Sequence, residues 1–175
     1  MTEDLQDLSP VPPPERAGGW VRSLLWTVLL SVALVMALGA LRGGPIAGDN
    51  VPPLRGVDLA GQAVDLATLR GKPVVLYFWA TWCSACKLTS PTVNAYAAAH
   101  PEVVVLGVAM EDAAAVQLYL GEHKRHFRVL AASEQVQRDW PVRALPTTVV
   151  LDANGRLTWQ RQGVLLPGEL NLHVD

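Results

Sequence analysis

Two cysteines at a strand-to-helix junction are the feature that most constrains this chain. The apolar run Val74–Trp79 is typical of a buried strand, and the residues from Ser84 onward are typical of a helix. Because Cys83 and Cys86 are separated by two residues at this junction, one helical turn would bring their sulfur atoms within reach of a disulfide. The free N–H groups and the dipole at a helix N-terminus favour a thiolate there. The sequence therefore predicts a redox-capable thiol pair at the start of a helix.

A second segment, residues 23–41, is uncharged and lies between Arg22 and Arg42. At about 1.5 Å per helical residue, it approaches the thickness of the bilayer hydrocarbon core, about 30 Å. The sequence predicts one uncleaved transmembrane helix here. A secretory signal peptide is the alternative, but the run begins late and is long for the apolar region of such a peptide.

The remaining residues divide into three parts. Residues 1–22 are Pro-rich and acidic without apolar periodicity, which predicts a disordered tail, placed in the cytoplasm. Residues 42–53 also lack periodicity and are interpreted as a linker. Residues 54–175 have the size of a single domain, and an exposed thiol pair tethered to a membrane suits an oxidising compartment outside the cytoplasm.

Composition limits the partners of this domain. The formal net charge is −2, the sequence pI is about 6.1 and no basic block occurs. We therefore expect no nucleic-acid partner.

Within residues 54–175, strand and helix patterns alternate. In order, they predict a hairpin (54–59 and 62–66), a strand (74–79), a helix (84–99), a strand (103–109), a helix (113–124), a strand (128–131), a brief helix begun by Ser133, a hairpin (147–151 and 157–160) and a closing helix (167–174). This order predicts an α/β fold with a mixed central sheet, helices on both faces and an N-terminal β-hairpin extension.

Three motifs together carry a resemblance to the thioredoxin superfamily. They are Trp79-Ala80-Thr81-Trp82-Cys83-x-x-Cys86, Pro91 within the following helix, and Ala144-Leu145-Pro146-Thr147 before a strand. The hairpin, the extended segment 107–115 and the predicted anchor make the chain similar to the TlpA/ResA/CcmG branch of membrane-anchored thiol-disulfide oxidoreductases. Within that branch, residues 86–94 resemble ScsD-type proteins associated with copper sensitivity.

The resemblance implies roles for five residues. In the family, the cysteine matching Cys83 attacks a client disulfide and the one matching Cys86 resolves the mixed disulfide. Pro146 would be the cis-proline stacked against the sulfurs, which leaves the Leu145 backbone free to pair with an extended substrate. Trp82 would form part of the substrate platform. No cofactor and no metal are implied.

The resemblance also implies a location and partners. It suggests a single-pass protein of the bacterial inner membrane with a periplasmic domain that reduces client disulfides, in cytochrome c maturation or in thiol maintenance under copper stress. A DsbD- or ScsB-like membrane reductase would supply the electrons. A disulfide oxidase or isomerase of the same fold is the alternative, because Ser84 and Ala85 are neither the Gly-Pro of general reductants nor the Pro-His of strong oxidants.

Two positions depart from the family pattern, and a third residue could compensate. Tyr77 stands where thioredoxins bury an acid, so that proton relay is missing or replaced. Thr89 stands where the heme-maturation reductases often carry a glutamate. Glu111, at the carboxyl end of a predicted strand, could substitute, but we expect Glu111 and Asp112 simply to start a helix.

Two other classes of function fit the sequence less well. A zinc or copper site could use the cysteine pair, yet His123 and His126 lie in a charged stretch typical of a solvated helix end, and the three methionines offer no thioether cluster. A peroxidase would need Pro-x-x-x-Thr-x-x-Cys, and Leu76 and Ala80 occupy the Pro and Thr positions before Cys83.

Overall fold

The computed structural model describes residues 19–41, 50–123 and 125–174. The chain divides into two compact units, residues 1–44 and residues 45–175, which are described separately. The predicted tail and linker lie outside the described residues, apart from residues 19–22 and 50–53.

The first unit contains helix α1, Gly19–Leu41, which covers the predicted transmembrane segment and begins before it. Among the residues that the structure describes, no helix has both the length and the apolar character needed to cross a membrane. The structure shows a helix over residues 23–41, and the assignment of that helix to a membrane stays a prediction.

The second unit contains seven strands and three helices in the described residues. They are β1 (Arg55–Val57), β2 (Ala63–Asp65), β3 (Val74–Trp79), α2 (Ser84–Ala99), β4 (Val104–Ala109), α3 (Ala113–Glu122), β5 (Arg128–Ala131), α4 (Glu134–Asp139), β6 (Thr147–Leu151) and β7 (Leu157–Gln162). Short 3-10 turns cover Leu66–Leu69 and Leu170–Leu172.

Five strands form one mixed sheet in the order β5-β4-β3-β6-β7. Strand β3 is central, parallel to β4 and antiparallel to β6, while β5 is parallel to β4 and β7 is antiparallel to β6. β1 and β2 form a separate antiparallel hairpin. The predicted mixed sheet and N-terminal hairpin are confirmed.

Alternate residues of β3 supply two cores, one on each face of the sheet. Val75, Tyr77 and Trp79 join a cluster with side chains of α2 and α3. Val74, Leu76 and Phe78 join a second cluster with the hairpin and α4. All six residues of β3 are buried, which is why this strand reads as a continuous apolar run.

The predicted closing helix over residues 167–174 is wrong. Only the 3-10 turn Leu170–Leu172 forms there. Gly168, with φ +81°, has a left-handed backbone conformation that a right-handed helix cannot continue through.

The sheet places three loops at one edge. Because β3 and β4 are parallel, with Trp79 beside Ala109, the segments that follow them emerge side by side. Because β6 is antiparallel to β3, with Thr147 beside Phe78, the residues that precede Thr147 reach the same edge. This edge collects residues 80–83, 110–112 and 144–146.

Candidate redox site

Cys83 and Cys86 form a disulfide at the N-terminus of α2, with their Cα atoms 5.2 Å apart. Cys83 is the N-cap residue, and its Sγ accepts a hydrogen bond of 3.1 Å from the Cys86 N–H. On reduction, the same N–H and the helix dipole would favour a thiolate at Cys83. The predicted placement of the pair at a helix N-terminus is confirmed.

The two cysteines differ in exposure. Cys83 is 7% exposed and Cys86 is 1% exposed. Cys83 therefore offers the only point of attack within the pair, while Cys86 lies behind it. This difference fits an attacking first cysteine and a resolving second one.

Tyr77 fills the position of the missing acid directly beneath Cys86. Its hydroxyl donates to the Cys86 carbonyl at 2.9 Å and lies 3.2 Å from Ser90 Oγ. Since the tyrosine has one proton to donate, the Ser90 hydroxyl donates to the Tyr77 oxygen. A pair of neutral hydroxyls therefore occupies the place of a carboxylate.

Burial raises the pKa of Tyr77 to about 12, although the hydrogen bond with Ser90 partly offsets this. The phenol stays protonated at physiological pH. It can hold the Cys86 backbone in place, but it cannot act as an ionised base.

Thr89 is fully buried and joins α2 to the C-terminal segment. Its hydroxyl donates to the Ala85 carbonyl at 3.2 Å and accepts from the Leu165 N–H at 3.3 Å. Thr89, at the position where the resemblance implies a glutamate, therefore has a structural role: it links α2 to the C-terminal segment by hydrogen bonds.

Glu111 has a different role from the one expected. Its Oε1 accepts a hydrogen bond from the Thr81 N–H, and its Oε2 accepts one of 2.9 Å from Thr81 Oγ1. Asp112 does start α3, accepting from the Ala115 N–H at 2.9 Å. The expectation that both acids merely begin a helix is therefore correct for Asp112 and wrong for Glu111, which holds the loop that carries Cys83.

The remaining predicted site residues lie on the same edge of the sheet. Trp82 is 68% exposed, Leu145 is half-buried and Pro146 is buried. The Leu145–Pro146 peptide bond is cis, as predicted. The Pro146 carbonyl accepts from the Gly163 N–H at 2.8 Å, which ties the loop to the segment after β7.

Trp79 and His123 both pack against Tyr119. Trp79 is 1% exposed, with its ring centroid 5.8 Å from that of Tyr119. The His123 ring stacks on the Tyr119 ring with their centroids 4.3 Å apart, and His123 Nδ1 lies 2.9 Å from the Tyr119 carbonyl oxygen. Trp79 is a core residue, as expected, and His123 is held at the end of α3. In the described part of the chain, no group of three or more histidine, cysteine or acidic side chains could hold a metal ion.

A cleft of about 440 Å³ borders the site on the α3 side. Its lining residues are Thr81, Trp82, Ala115, Leu118 and Tyr119. Sequence reasoning missed this feature, because it depends on how the loop after β3 faces α3.

Comparison with known proteins agrees with this geometry. Residues 47–160 match the AhpC/TSA family. The soluble secreted antigen MPT53 of Mycobacterium tuberculosis is 33% identical over 112 residues, covering 62% of this chain and 64% of that protein. The match thus spans just under two thirds of that relative's length.

Two other similar proteins are covered over more of their length. The thiol:disulfide interchange protein DsbE homolog of Paracoccus denitrificans is 33% identical over 156 residues, covering 79% of this chain and 86% of that protein. The crystal structure of a secreted Mycobacterium tuberculosis disulfide oxidoreductase superposes with a TM-score of 0.60 at 29% identity, covering 67% of this chain and 90% of the other. The resemblance to thioredoxin-like proteins is confirmed.

Proposed function

The chain belongs to the AhpC/TSA family, among its thioredoxin-like thiol:disulfide interchange members, and on that premise we propose that it is a protein-disulfide oxidoreductase working through Cys83 and Cys86. The observation that carries the proposal is the unequal pair at the N-terminus of α2. Cys83 Sγ accepts a hydrogen bond from the Cys86 N–H, and Cys83 is 7% exposed whereas Cys86 is 1% exposed.

The reaction runs in two thiol-disulfide exchanges. The Cys83 thiolate attacks one sulfur of a client disulfide, which forms a mixed disulfide and releases the other client sulfur as a thiolate that takes up a proton. Cys86 then loses its proton and attacks Cys83 Sγ, which releases the second client sulfur. Two electrons pass to the client, and the protein is left with the Cys83–Cys86 disulfide seen here.

Side chains around the pair support this chemistry without an ionised base under Cys86. Glu111 holds Thr81, and Tyr77 holds the Cys86 carbonyl. The exposed Trp82 and the loop at Leu145 and Pro146 form the surface on which an extended client would lie. We propose that an extended client forms backbone hydrogen bonds with Leu145 in this loop.

The reducing direction, the compartment and the partners are parts of the same proposal. We place the domain in the periplasm. One similar protein is named as a secreted antigen, and this supports a location outside the cytoplasm. An oxidising compartment would keep the cysteines bridged, so a reductase needs an electron donor, for which a DsbD- or ScsB-like membrane reductase is proposed. Clients with disulfides, including those of cytochrome c maturation or copper-stress defence, are the proposed substrates.

The equilibrium reduction potential of the full chain tests the direction. Titration against glutathione and dithiothreitol should give a value toward that of thioredoxin, about −270 mV. A value near about −120 mV, the range of a dedicated oxidant, would assign the oxidase alternative instead.

A turnover assay tests the activity itself. With dithiothreitol as the electron source, the chain should accelerate reduction of a disulfide-bonded protein, and C83A should remove the acceleration. Equal rates with the wild-type chain and with C83A would contradict the proposed function.

A further inference from the structure

Residues 123–128 form a charged segment of one sign that the redox chemistry does not use. One lysine and two arginines give this segment a formal charge of +3 at pH 7 with its two histidines neutral, in a chain whose formal net charge is −2. The segment is too short for the basic block that nucleic-acid binding needs. Positive charge gathered over so few residues nevertheless raises the local concentration of small anions. The segment therefore points to an anionic ligand.

The segment lines a cleft of about 490 Å³, which we call the basic cleft. The turn between β1 and β2, residues 58–60, lines it as well. No lining residue belongs to the three loops of the redox edge, so the basic cleft is separate from the cysteine pair. Its volume falls in the range of small-molecule sites, about 300–1,000 Å³. Four ionisable side chains of the segment line it: His123, Arg125, His126 and Arg128.

Asp58 is the one acid among the described residues that line the basic cleft, and its charge is already matched. Its buried carboxylate accepts hydrogen bonds from Arg128 Nε at 2.8 Å and from the N–H groups of Ala60 and Gln62 at 3.0 and 2.8 Å. With Asp58 assigned to Arg128, the lining residues keep the positive charge of Arg125. Protonation of either histidine adds to this charge. The basic cleft therefore favours a negatively charged ligand over a cation.

Arg125 and His123 are both held in place by Tyr119. The Arg125 guanidinium carbon lies 5.8 Å from the centroid of the Tyr119 ring, and Arg125 Nη1 donates to the His123 carbonyl at 3.3 Å. His123 Nδ1 lies 2.9 Å from the Tyr119 carbonyl oxygen, which can only accept, so Nδ1 carries the proton. His123 Nε2 is then the nitrogen that can gain a proton and donate to an anion. Because these two groups are already positioned, binding costs less conformational entropy.

The rest of the lining indicates that the ligand has an organic part. A bare inorganic ion would leave apolar residues in contact with water, whereas an apolar group on the ligand would cover them. A phosphate monoester has more negative charge and more acceptor oxygens than a carboxylate, which suits a guanidinium beside two imidazoles. Half of the ten lining residues are apolar: Leu59, Ala60, Leu120, Phe127 and Val129.

We propose that the basic cleft binds a phosphate monoester that carries an apolar group. The phosphate lies against Arg125, His123 and His126, and the apolar group lies against Leu120 and Phe127. This inference stands apart from the proposed function, because it uses neither the cysteines nor the loops around them.

The test is a titration of the full-length oxidised chain with small probes, followed by amide NMR chemical shifts. Phenyl phosphate is the main probe, while inorganic phosphate lacks its ring and phenol lacks its charge. We expect phenyl phosphate to bind about tenfold more tightly than either of the other two, because a buried ring and a charge-assisted hydrogen bond each contribute about that much. The amides of Leu59 and Val129 should shift, and that of Trp82 should not. Absence of binding, equal affinity for phenyl phosphate and either comparison probe, or shifts centred on Trp82 overturns the proposal.

A phosphate monoester can be a soluble compound or the headgroup of phosphatidic acid. Dihexanoyl phosphatidic acid, used below the concentration at which it forms micelles, is therefore a further probe. Tighter binding of this lipid than of phenyl phosphate assigns the basic cleft to a lipid headgroup, and weaker binding assigns it to a soluble ester. Both orders support a site for phosphate esters.

Arg125→Gln is the test variant and Arg138→Gln is its matched control. Each change removes one positive charge, but Arg138 lies on α4 with its side chain 67% exposed and does not line the basic cleft. Arg125→Gln should weaken binding of phenyl phosphate by about tenfold, because a hydrogen bond to a charged group is lost. Arg138→Gln should bind it like the wild-type chain. Equal affinities in the two variants overturn the proposal.

A second pair of variants leaves Arg125 and its contact with Tyr119 intact. Ala60 is exposed in the turn that lines the basic cleft. Ala60→Glu places a carboxylate there, and Ala60→Gln places a neutral group of the same size. Repulsion of the phosphate should make the affinity for phenyl phosphate about tenfold lower in Ala60→Glu than in Ala60→Gln. Equal affinities in this pair would overturn the site even if Arg125→Gln failed to fold, which circular dichroism checks.

Discussion

The carboxylate of Glu111 accepts hydrogen bonds from both the backbone N–H and the hydroxyl of Thr81, which lies two residues before Cys83. The contact joins the segments that follow β3 and β4, neighbouring parallel strands. A residue distant in sequence thereby fixes the loop from which the reactive cysteine starts its helix.

Glu111→Ala should therefore impair turnover beyond its effect on stability. Loss of two hydrogen bonds to a charged group is expected to lower the free energy of unfolding by about 1–3 kcal/mol. Release of the Thr81 loop should also lower kcat/KM for client reduction, measured well below the melting temperature.

Asp112→Ala is the matched control for Glu111→Ala. Asp112 caps α3, so its loss should cost about 0.5–2 kcal/mol of stability. Because Asp112 does not hold the redox loop, turnover should stay at the wild-type level. Equal loss of turnover in the two variants would show that Glu111 acts through stability alone.

In the wild-type chain, ionisation of Tyr77 at alkaline pH should lower the free energy of unfolding, and Tyr77→Phe should abolish this part of the decline. The folded-state pKa of Tyr77, about 12, lies above the ordinary value of 10.0 because of burial. The neutral phenol is thus favoured in the folded state, so its contribution is full below pH 10 and declines as pH rises toward the folded pKa. Urea unfolding across this range should show a smaller decline in Tyr77→Phe than in the wild-type chain.

Tyr96→Phe serves as the comparison for Tyr77→Phe. Burial also raises the pKa of Tyr96, but among the described residues it is the Tyr77 hydroxyl, not that of Tyr96, that is hydrogen-bonded to Cys86. Both variants should reduce the alkaline decline, whereas only Tyr77→Phe should change the reduction potential. An unchanged potential in Tyr77→Phe would remove Tyr77 from any role at Cys86.

Cys86→Ser should trap the client in a mixed disulfide with Cys83. Cys83 remains able to attack, while the buried resolving sulfur is absent. The adduct should appear on a non-reducing gel and vanish with dithiothreitol. Cys83→Ser should form none, and adducts of equal yield in both variants would contradict the assigned order of attack.

Asp58→Asn should reduce stability at neutral pH but not in strong acid. Burial alone would raise the pKa of Asp58, but the N–H of Gln62 and the Arg128 guanidinium outweigh it and lower the pKa below its ordinary value. Its contribution is therefore present above the unfolded-state pKa, about 3.9, and is lost as pH falls through the folded-state pKa.

At neutral pH, Asp58→Asn is expected to cost about 1–3 kcal/mol of unfolding free energy, because the carboxylate accepts hydrogen bonds from several donors. Chemical denaturation of the wild-type chain and of Asp58→Asn at several pH values measures this loss of unfolding free energy. Glu134→Gln is the control, since the Glu134–Arg138 pair is on the surface and should contribute little. A cost that is the same at neutral and at strongly acidic pH would rule out the ionised carboxylate as the cause.

Gly107→Ala should be strongly destabilising, unlike Gly121→Ala. A Cβ on Gly107 would lie 2.6 Å from the Phe127 ring and 3.1 Å from Trp79 Nε1, whereas one on Gly121 meets nothing within 4 Å. Overpacking of this kind should lower the stability of Gly107→Ala by about 1–3 kcal/mol. Replacing a helical glycine should raise the stability of Gly121→Ala by about 0.5–1 kcal/mol. Thermal melts should therefore move in opposite directions, and parallel shifts would contradict the close packing at Gly107.

The sequence could predict those features that depend on local pattern. The continuous apolar run of β3, the cysteine spacing and the Asp152-to-Gly155 turn each fix a local conformation, and together they lead to the mixed sheet. Ser133 caps α4 as expected, accepting from the Val136 N–H.

Features that depend on contacts between distant segments could not be read in the same way. Glu111 meets Thr81 only because two parallel strands end together. The signal was present, since an acid closed an apolar strand at the carboxyl edge, but the same pattern also describes a helix start, which Asp112 fulfils. The pairing of Tyr77 with Ser90 likewise needs the register of α2 on the sheet.

The redox bond closes a very short loop, because only two residues separate Cys83 from Cys86. A cross-link restrains an unfolded chain less as its loop shortens, so this bond should stabilise the fold by about 2 kcal/mol, less than half of what a loop of about 100 residues would give. Reduction and oxidation of this disulfide therefore change the reactivity of the chain far more than the stability of its fold. If the proposed function holds, the domain would stay folded through many rounds of electron transfer, as a reusable carrier requires.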